Sequence, residues 1–349
     1  MRSHRTSISL RAAMNRKHQL IVIGLTVLTL CSVVSHLVAR GLHLRTQAVS
    51  PLFFGDTNQQ DTATVAGSSL TFYGIEWHAV AQRLKAGMTG LGVPAGSVHE
   101  LEILQRKAPP VRYTFLGVSM FDLNENYLSD FRADIVPMGE AIKSLRESHS
   151  SWAYRKRVLS QYPMKYIRSL FPTAGRSVTV MVGVREKLRA WLNGGGTATK
   201  EKLELAVVSS ESNPHQDSIQ TWPADRRMRN IMDLRSNAGG HLEFQGQKRH
   251  SLLKFLNRGV QQGRVVLIIL PESPTFRAEL VTPAARGQFE AALTEAQRAV
   301  PDLVCVRLDQ VKELDSDGWY WDIVHLNAPG QAVATRVLIG QLSQAGLIR

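Results

Sequence analysis

Beyond residue 60, short apolar runs alternate with stretches whose apolar residues fall at helical spacing. This alternation limits the fold more than any other feature of the chain. Residues 62–66, 113–117, 178–182, 265–270 and 303–308 read as strands, and Pro271 ends the fourth of them. Between them, residues 75–88 carry Val80, Leu84 and Met88 at helical intervals. Residues 98–105 and 288–300 also read as helices, and residues 327–342 as a C-terminal helix. Strands that alternate with helices build a parallel sheet covered on both faces, so the expected class is α/β with a doubly wound sheet. The roughly 300 residues available are enough for one sizeable core, or one core with an insertion. Two stretches break the rhythm. Residues 140–177 are polar and basic with a helical pattern. Residues 193–250 open on Gly194-Gly195-Gly196, stay polar to Arg249-His250, and read as an insertion or lid of low order.

Residues 20–39 contain no Asp, Glu, Lys or Arg. That length spans a bilayer as a helix. Arg2, Arg5, Arg11, Arg16 and Lys17 precede it without an acidic residue. The positive-inside rule then keeps residues 1–19 cytoplasmic and places everything after about residue 42 outside, an orientation that suits a bacterial inner-membrane protein with a periplasmic domain and a Golgi enzyme alike. The other reading is a cleaved signal peptide, which needs small residues at −3 and −1. Leu37-Val38-Ala39 before Arg40 matches that poorly, so an uncleaved anchor is the expectation. Residues 40–60 follow as a polar linker with Pro51, Gly55 and Asn58-Gln59-Gln60.

The net charge of +13 would suggest nucleic acid, but much of it belongs to the N-terminus. Residues 1–45 hold seven of the 42 basic residues and no acidic one, which leaves 35 basic against 29 acidic residues beyond. A mildly basic domain suits approach to anionic glycans or lipid head groups. The chain has no zinc-finger spacing, no basic region followed by heptads and no RNA-binding aromatic motif, so no nucleic-acid partner is expected. Cys31 lies within the expected membrane span and Cys305 in the domain beyond it, so the two should not pair. No His/Cys/Asp/Glu cluster has metal-ligand spacing and no phosphate-binding glycine loop occurs, so neither metal nor cofactor is expected.

Two places carry chemistry. Gly67-Ser68-Ser69 follows a short strand and precedes a helix. Glycine permits the tight turn a serine nucleophile needs, and a helix N-terminus supplies N–H donors for an oxyanion. A serine pair capping a helix would leave the same trace. Some 250 residues later stands Trp319-Tyr320-Trp321-Asp322-Ile323-Val324-His325-Leu326-Asn327. An Asp three residues before a His can fix the imidazole's tautomer and orientation. The three aromatic residues would pack a closed site around them.

A Gly-x-Ser early and an Asp-x-x-His late resemble the SGNH (GDSL-type) hydrolase superfamily, most closely its membrane-anchored branch near proteins of teichoic-acid and exported-polysaccharide acylation. The resemblance covers roughly residues 60–345, leaving the insertion unmatched, and implies a flavodoxin-like sheet. It implies Ser69 as nucleophile, His325 as base and Asp322 as its orienting acid. It implies that the backbone N–H groups of Ser69 and Gly96 form the oxyanion hole. The family's third oxyanion donor is an Asn in a Gly-x-Asn block after a strand; here that block reads Gly117-Val118-Ser119, so Ser119 takes the position. Losing such a donor typically costs ~10²–10³ in turnover. Gly117-Val118-Ser119 could itself be read as a Gly-x-Ser nucleophile, but residues 60–110 would then be an unexplained βα unit.

The expected activity is that of a serine esterase or O-acyltransferase working through an acyl-enzyme on acylated, in first place acetylated, polysaccharide. A membrane-bound O-acyltransferase is the implied acyl supplier. The alternative is a catalytically weak or inactive SGNH-like module that binds polysaccharide or scaffolds an export complex, and the altered third block favours it. A plain esterase of small or lipid substrates is the third reading. Other positions carry less. Gly55-Asp56-Thr57 lies in the linker, Arg185-Glu186 follows an expected strand, Leu270-Pro271-Glu272-Ser273-Pro274 ends another strand at the same rim and could line the pocket, and His78 and His99 read as helix-surface residues.

Overall fold

A computed structural model describes residues 21–38, 52–54, 61–92, 96–106, 108–127, 136–147, 152–170 and 215–348. The expected strand at 178–182, Arg185-Glu186, Gly55-Asp56-Thr57 and the basic tail lie outside the described residues. The chain divides into two compact units, Met1–Ala48 with Tyr162–Ala206, and Val49–Gln161 with Val207–Arg349. Within the first, α1 (Ile21–Val38) is long and apolar enough to cross a membrane, with a mean hydropathy of 2.3 and only 6% of its span buried. A membrane anchor and a signal sequence share those properties.

The second unit is an α/β fold on one six-stranded sheet: β1 (Leu52–Phe54), β2 (Asp61–Gly67), β3 (Gly87–Gly92), β4 (Tyr113–Val118), β5 (Arg264–Ile269) and β6 (Val304–Arg307). Their spatial order is β1-β3-β2-β4-β5-β6. The five strands β2 to β6 are parallel, and β1 pairs antiparallel at the edge beside β3. Every residue of β4, and all of β5 after Arg264, is buried, as a strand covered on both faces requires. The chain leaves β2 for β3 on one side and reaches β4 on the other. The topological switch point therefore falls between β2 and β4, and there the two connecting chains diverge to open a crevice at the carboxyl ends of the strands.

Helices form two layers. α2 (Ser69–Gly74) and α3 (Trp77–Leu84) pack with the C-terminal α12 (Ala328–Gln344). α4 (Val98–Gln105) packs with α9 (Gln247–Gln262), which also meets α11 (Pro283–Ala299). The remaining helices are α5 (Met120–Leu123), α6 (Met138–Glu147), α7 (Trp152–Leu170), α8 (Ala224–Asn237) and α10 (Pro274–Leu280). Five helices begin on side-chain caps. Ser68, Ser119, Ser273, Thr282 and Asn327 each accept a backbone N–H of the helix they precede. These caps satisfy donors that a helix start leaves without an internal partner.

Three sequence expectations change. Met88, expected at the end of a helix, lies in β3: the helix stops at Leu84, where Lys85 takes a left-handed conformation (φ 51°). Residues 215–250 are ordered elements, a 3₁₀ turn (Ile219–Thr221), α8 and the start of α9. His99 is not on a helix surface. It is fully buried between α4 and α9, with Nδ1 beside Ser251 Oγ (3.1 Å) and Gln247 Nε2 (2.9 Å). Burial and nearby cationic side chains push its pKa down to about 3, so it is a neutral polar pin between helices.

Candidate active site

Ser69 is the first residue of α2, directly beyond β2, and its N–H is one of those a helix leaves without an internal acceptor. The turn that presents it is shaped by Thr71. The Thr71 hydroxyl donates to Gly117 O (3.0 Å), and Thr71 O accepts from Trp77 Nε1 (3.0 Å). A Cβ on Gly67 would fall 2.0 Å from Thr71 Oγ1, and one on Gly117 would fall 2.5 Å from it. Gly67 at the end of β2 and Gly117 one residue before the end of β4 thus leave room for one threonine, which locks the two turns together.

His325 comes from the loop between β6 and α12, 256 residues later. Its Nε2 lies 3.0 Å from Ser69 Oγ, and its Nδ1 lies 2.8 Å from Asp322 Oδ2. The other carboxylate oxygen of Asp322 accepts the N–H groups of Val324 (2.8 Å) and His325 (2.7 Å). Burial alone would raise the Asp322 pKa, but the facing imidazole and these donors hold it below the ordinary value. An ionised Asp322 keeps the proton of His325 on Nδ1 and leaves Nε2 able to accept from Ser69. The structure therefore brings together all three residues of the expected Ser-His-Asp set.

Gly96 is buried just before Ser97, the N-cap of α4. β3 pairs with β2 through Gly67 and Gly92, so Gly96 and Ser69 leave the same sheet edge from neighbouring strands. Ser119, expected as an oxyanion donor, directs both of its donors at Asp122. Its N–H and its hydroxyl each lie 3.0 Å from Asp122 Oδ2. Asp122 is also hydrogen-bonded to Ser68; burial raises its pKa, against the contacts of Ser68 and Ser119. Asp122 therefore ties the turn after β2 to the turn after β4. A buried lysine holds the chain that follows: Lys248 Nζ donates to Asn124 O and Tyr127 O, both at 2.8 Å.

Rings crowd the base. Trp321 stacks on His325, with centroids 5.2 Å apart, and on His215, with centroids 3.9 Å apart. Tyr73, one helical turn after Ser69, stands edge-on to both imidazoles at 6.0 and 5.9 Å. His215 escapes sequence reasoning because it lies in the polar stretch and its partners are more than a hundred residues away. No local signal marks it. Among the described residues, no group of three or more His, Cys, Asp and Glu could hold a metal ion. Comparison with known proteins assigns no family: no family model matches the chain, and no curated protein does.

Beneath the loop lies a second acid. Glu272 is 2% exposed; its Oε1 accepts from Met120 N (3.1 Å), and its Oε2 has no hydrogen-bond partner. Burial first, then the charge of Asp309, push its pKa up to about 7. The folded protein therefore binds a proton that the unfolded chain, with an ordinary carboxyl, releases near 4.5. Between those pH values the folded state holds more protons, and stability falls as pH rises. Glu272→Gln should remove this loss, which is on the order of 2 kcal/mol. Urea midpoints at pH 5 and 8 check it. Parallel pH slopes in the two proteins would show that Glu272 titrates normally.

Proposed function

We propose that this chain is an SGNH-type serine esterase or O-acyltransferase, held at a membrane by its N-terminal helix with the catalytic domain extracytoplasmic. We propose that it acts through an acyl-enzyme on acylated, in first place acetylated, exported or cell-surface polysaccharide, with a membrane-bound O-acyltransferase as its acyl supplier. The observation that carries the reading is the 3.0 Å approach of Ser69 Oγ to His325 Nε2, with Asp322 behind the ring at 2.8 Å. Ser69 attacks the ester carbonyl while His325 takes its proton. The N–H groups of Ser69 and Gly96 hold the oxyanion, since the Ser119 hydroxyl is engaged with Asp122. Collapse expels the alcohol, which takes the proton back from His325. Water or a sugar hydroxyl then releases the acyl group by the same steps in reverse order.

That engagement of Ser119 also supports a second reading, a weakly active or inactive module that binds polysaccharide. Covalent labelling separates the two. The full-length protein in detergent, treated with a fluorophosphonate, should carry one adduct on Ser69. The adduct should vanish in Ser69→Ala and persist in Ser119→Ala. An adduct on Ser119 would overturn the assignment, and a folded protein with no adduct would favour the binding module.

A further inference from the structure

We propose that His215, with Tyr73, binds the alcohol partner of the ester, a hydroxyl-bearing sugar ring, and so decides whether the acyl group passes to that sugar or to water. The proposal rests on the acyl-enzyme reading above. Its first support is the way the backbone of His215 is fixed. Ala328 N donates to His215 O (2.8 Å) and Asn327 Nδ2 to Asp217 O (3.2 Å). Ser218 Oγ donates to Asp317 O (3.0 Å) and Ile219 N to Tyr320 O (2.8 Å). Four hydrogen bonds thus lace residues 215–219 to the loop that carries Asp322 and His325 and to the first residue of α12. A segment that merely passed by would not be tied to the catalytic loop at each successive residue but one.

The second support is the ring cluster. Trp321 stacks on both imidazoles, so the indole joins His215 to the ring cluster around His325. Tyr73 spans the two imidazoles edge-on. Tyr73 and His215 are each half-buried, in contact with the imidazole that faces Ser69 or with the indole stacked on it. Each offers a flat apolar body with a polar tip, which suits a molecule with C–H faces and hydroxyl edges. Burial, and then the charge of His325, hold the His215 pKa below its ordinary value, against the smaller pull of Asp322 and Asp217. A neutral imidazole can both donate to and accept from a sugar hydroxyl.

In the transfer step, His325 Nε2 takes the proton of the acceptor hydroxyl as its oxygen bonds to the acyl carbon. The bond from that carbon to Ser69 Oγ breaks, and Ser69 takes the proton from His325. The test supplies p-nitrophenyl acetate as donor and methyl β-D-glucopyranoside as acceptor to the full-length protein in detergent. The burst of p-nitrophenol reports acylation, and mass spectrometry reports acetylated glycoside against free acetate. His215→Ala should leave the burst within roughly threefold while the transfer-to-hydrolysis ratio falls ~10-fold, the loss expected for one directed polar contact. His215→Gln, which keeps a donor and an acceptor, should retain most of the ratio. An unchanged ratio would overturn the proposal. So would a burst and a transfer yield that fall by the same factor, because His215 would then act only through His325. A wild-type protein that acylates yet transfers no better to the glycoside than to glycerol would also overturn it. If Ser69 never acylates, the acyl-enzyme reading is what fails. Saturation-transfer NMR with the same glycoside then decides the sugar site: binding lost in His215→Ala keeps it, and equal or absent binding removes it.

Discussion

Ser69→Ala and His325→Ala should each lower the turnover of p-nitrophenyl acetate by ~10⁴–10⁶-fold, and the double variant should be no worse than the poorer single one. The reason is that the two side chains perform one act. The Ser69 hydroxyl is a weak nucleophile until Nε2 of His325, 3.0 Å away, accepts its proton. Without either partner the other has nothing to do, so the losses do not add. Asp322→Asn should cost ~10⁴-fold with the fold intact, because an amide facing Nδ1 favours the tautomer that protonates Nε2. The check is kcat/KM for the singles and the double, beside a melting curve for each. Losses that multiply in the double variant would mean that Ser69 and His325 act separately.

Gly117→Ala should destabilise the domain by about 3 kcal/mol, and Gly67→Ala by at least as much. At Gly117 the new methyl would lie 2.5 Å from Thr71 Oγ1 and 2.6 Å from Thr71 Cγ2. At Gly67 it would meet Thr71 Oγ1, Cβ and Cγ2 at 2.0, 2.4 and 2.7 Å. Thr71 is fully buried and its hydroxyl is bonded to Gly117 O, so it can move only by leaving a buried carbonyl without its partner. Both glycines also set the turn that presents Ser69, so activity should fall with stability. Gly287 and Gly340 serve as controls. Both lie in helices with nothing within 4 Å of a new Cβ, so alanine there should be neutral or stabilise by about 0.5–1 kcal/mol. Urea midpoints for the four variants give the answer, and a Gly117→Ala protein as stable as the controls would refute the wedge described for Thr71.

The strands legible in the sequence were those whose local pattern and tertiary use agree. Residues 265–270 are continuously apolar because the strand there is covered on both faces. β3 was missed because Gly87-Met88-Thr89-Gly90-Leu91-Gly92 carries three glycines and no β-branched run. It is a strand because β1 and β2 pair with it on either side. Ser69, Asp322 and His325 could be picked out because turn chemistry at one end and an i, i+3 pair at the other are local signals. Where Ser119 directs its donors was not legible, since that depends on Asp122 being buried against Ser68. The burial of His99 depends likewise on Gln247 and Ser251 of α9, at the end of a stretch whose composition reads as solvated.

The loop bearing Asp322 and His325 contains 3₁₀ turns and a single isolated bridge, between Tyr320 and Leu326. Its ties to other elements are few hydrogen bonds rather than a ladder, among them Ile219 N to Tyr320 O (2.8 Å), Ser273 Oγ to Ile323 O (2.7 Å) and Thr275 Oγ1 to Asp317 (2.6 Å). A strand such as β4 opens only when the whole domain does, whereas a loop of this kind opens on its own at lower free energy. Amide protons here should exchange with solvent well before those of the sheet, and on warming the base should leave Ser69 while the core is still folded.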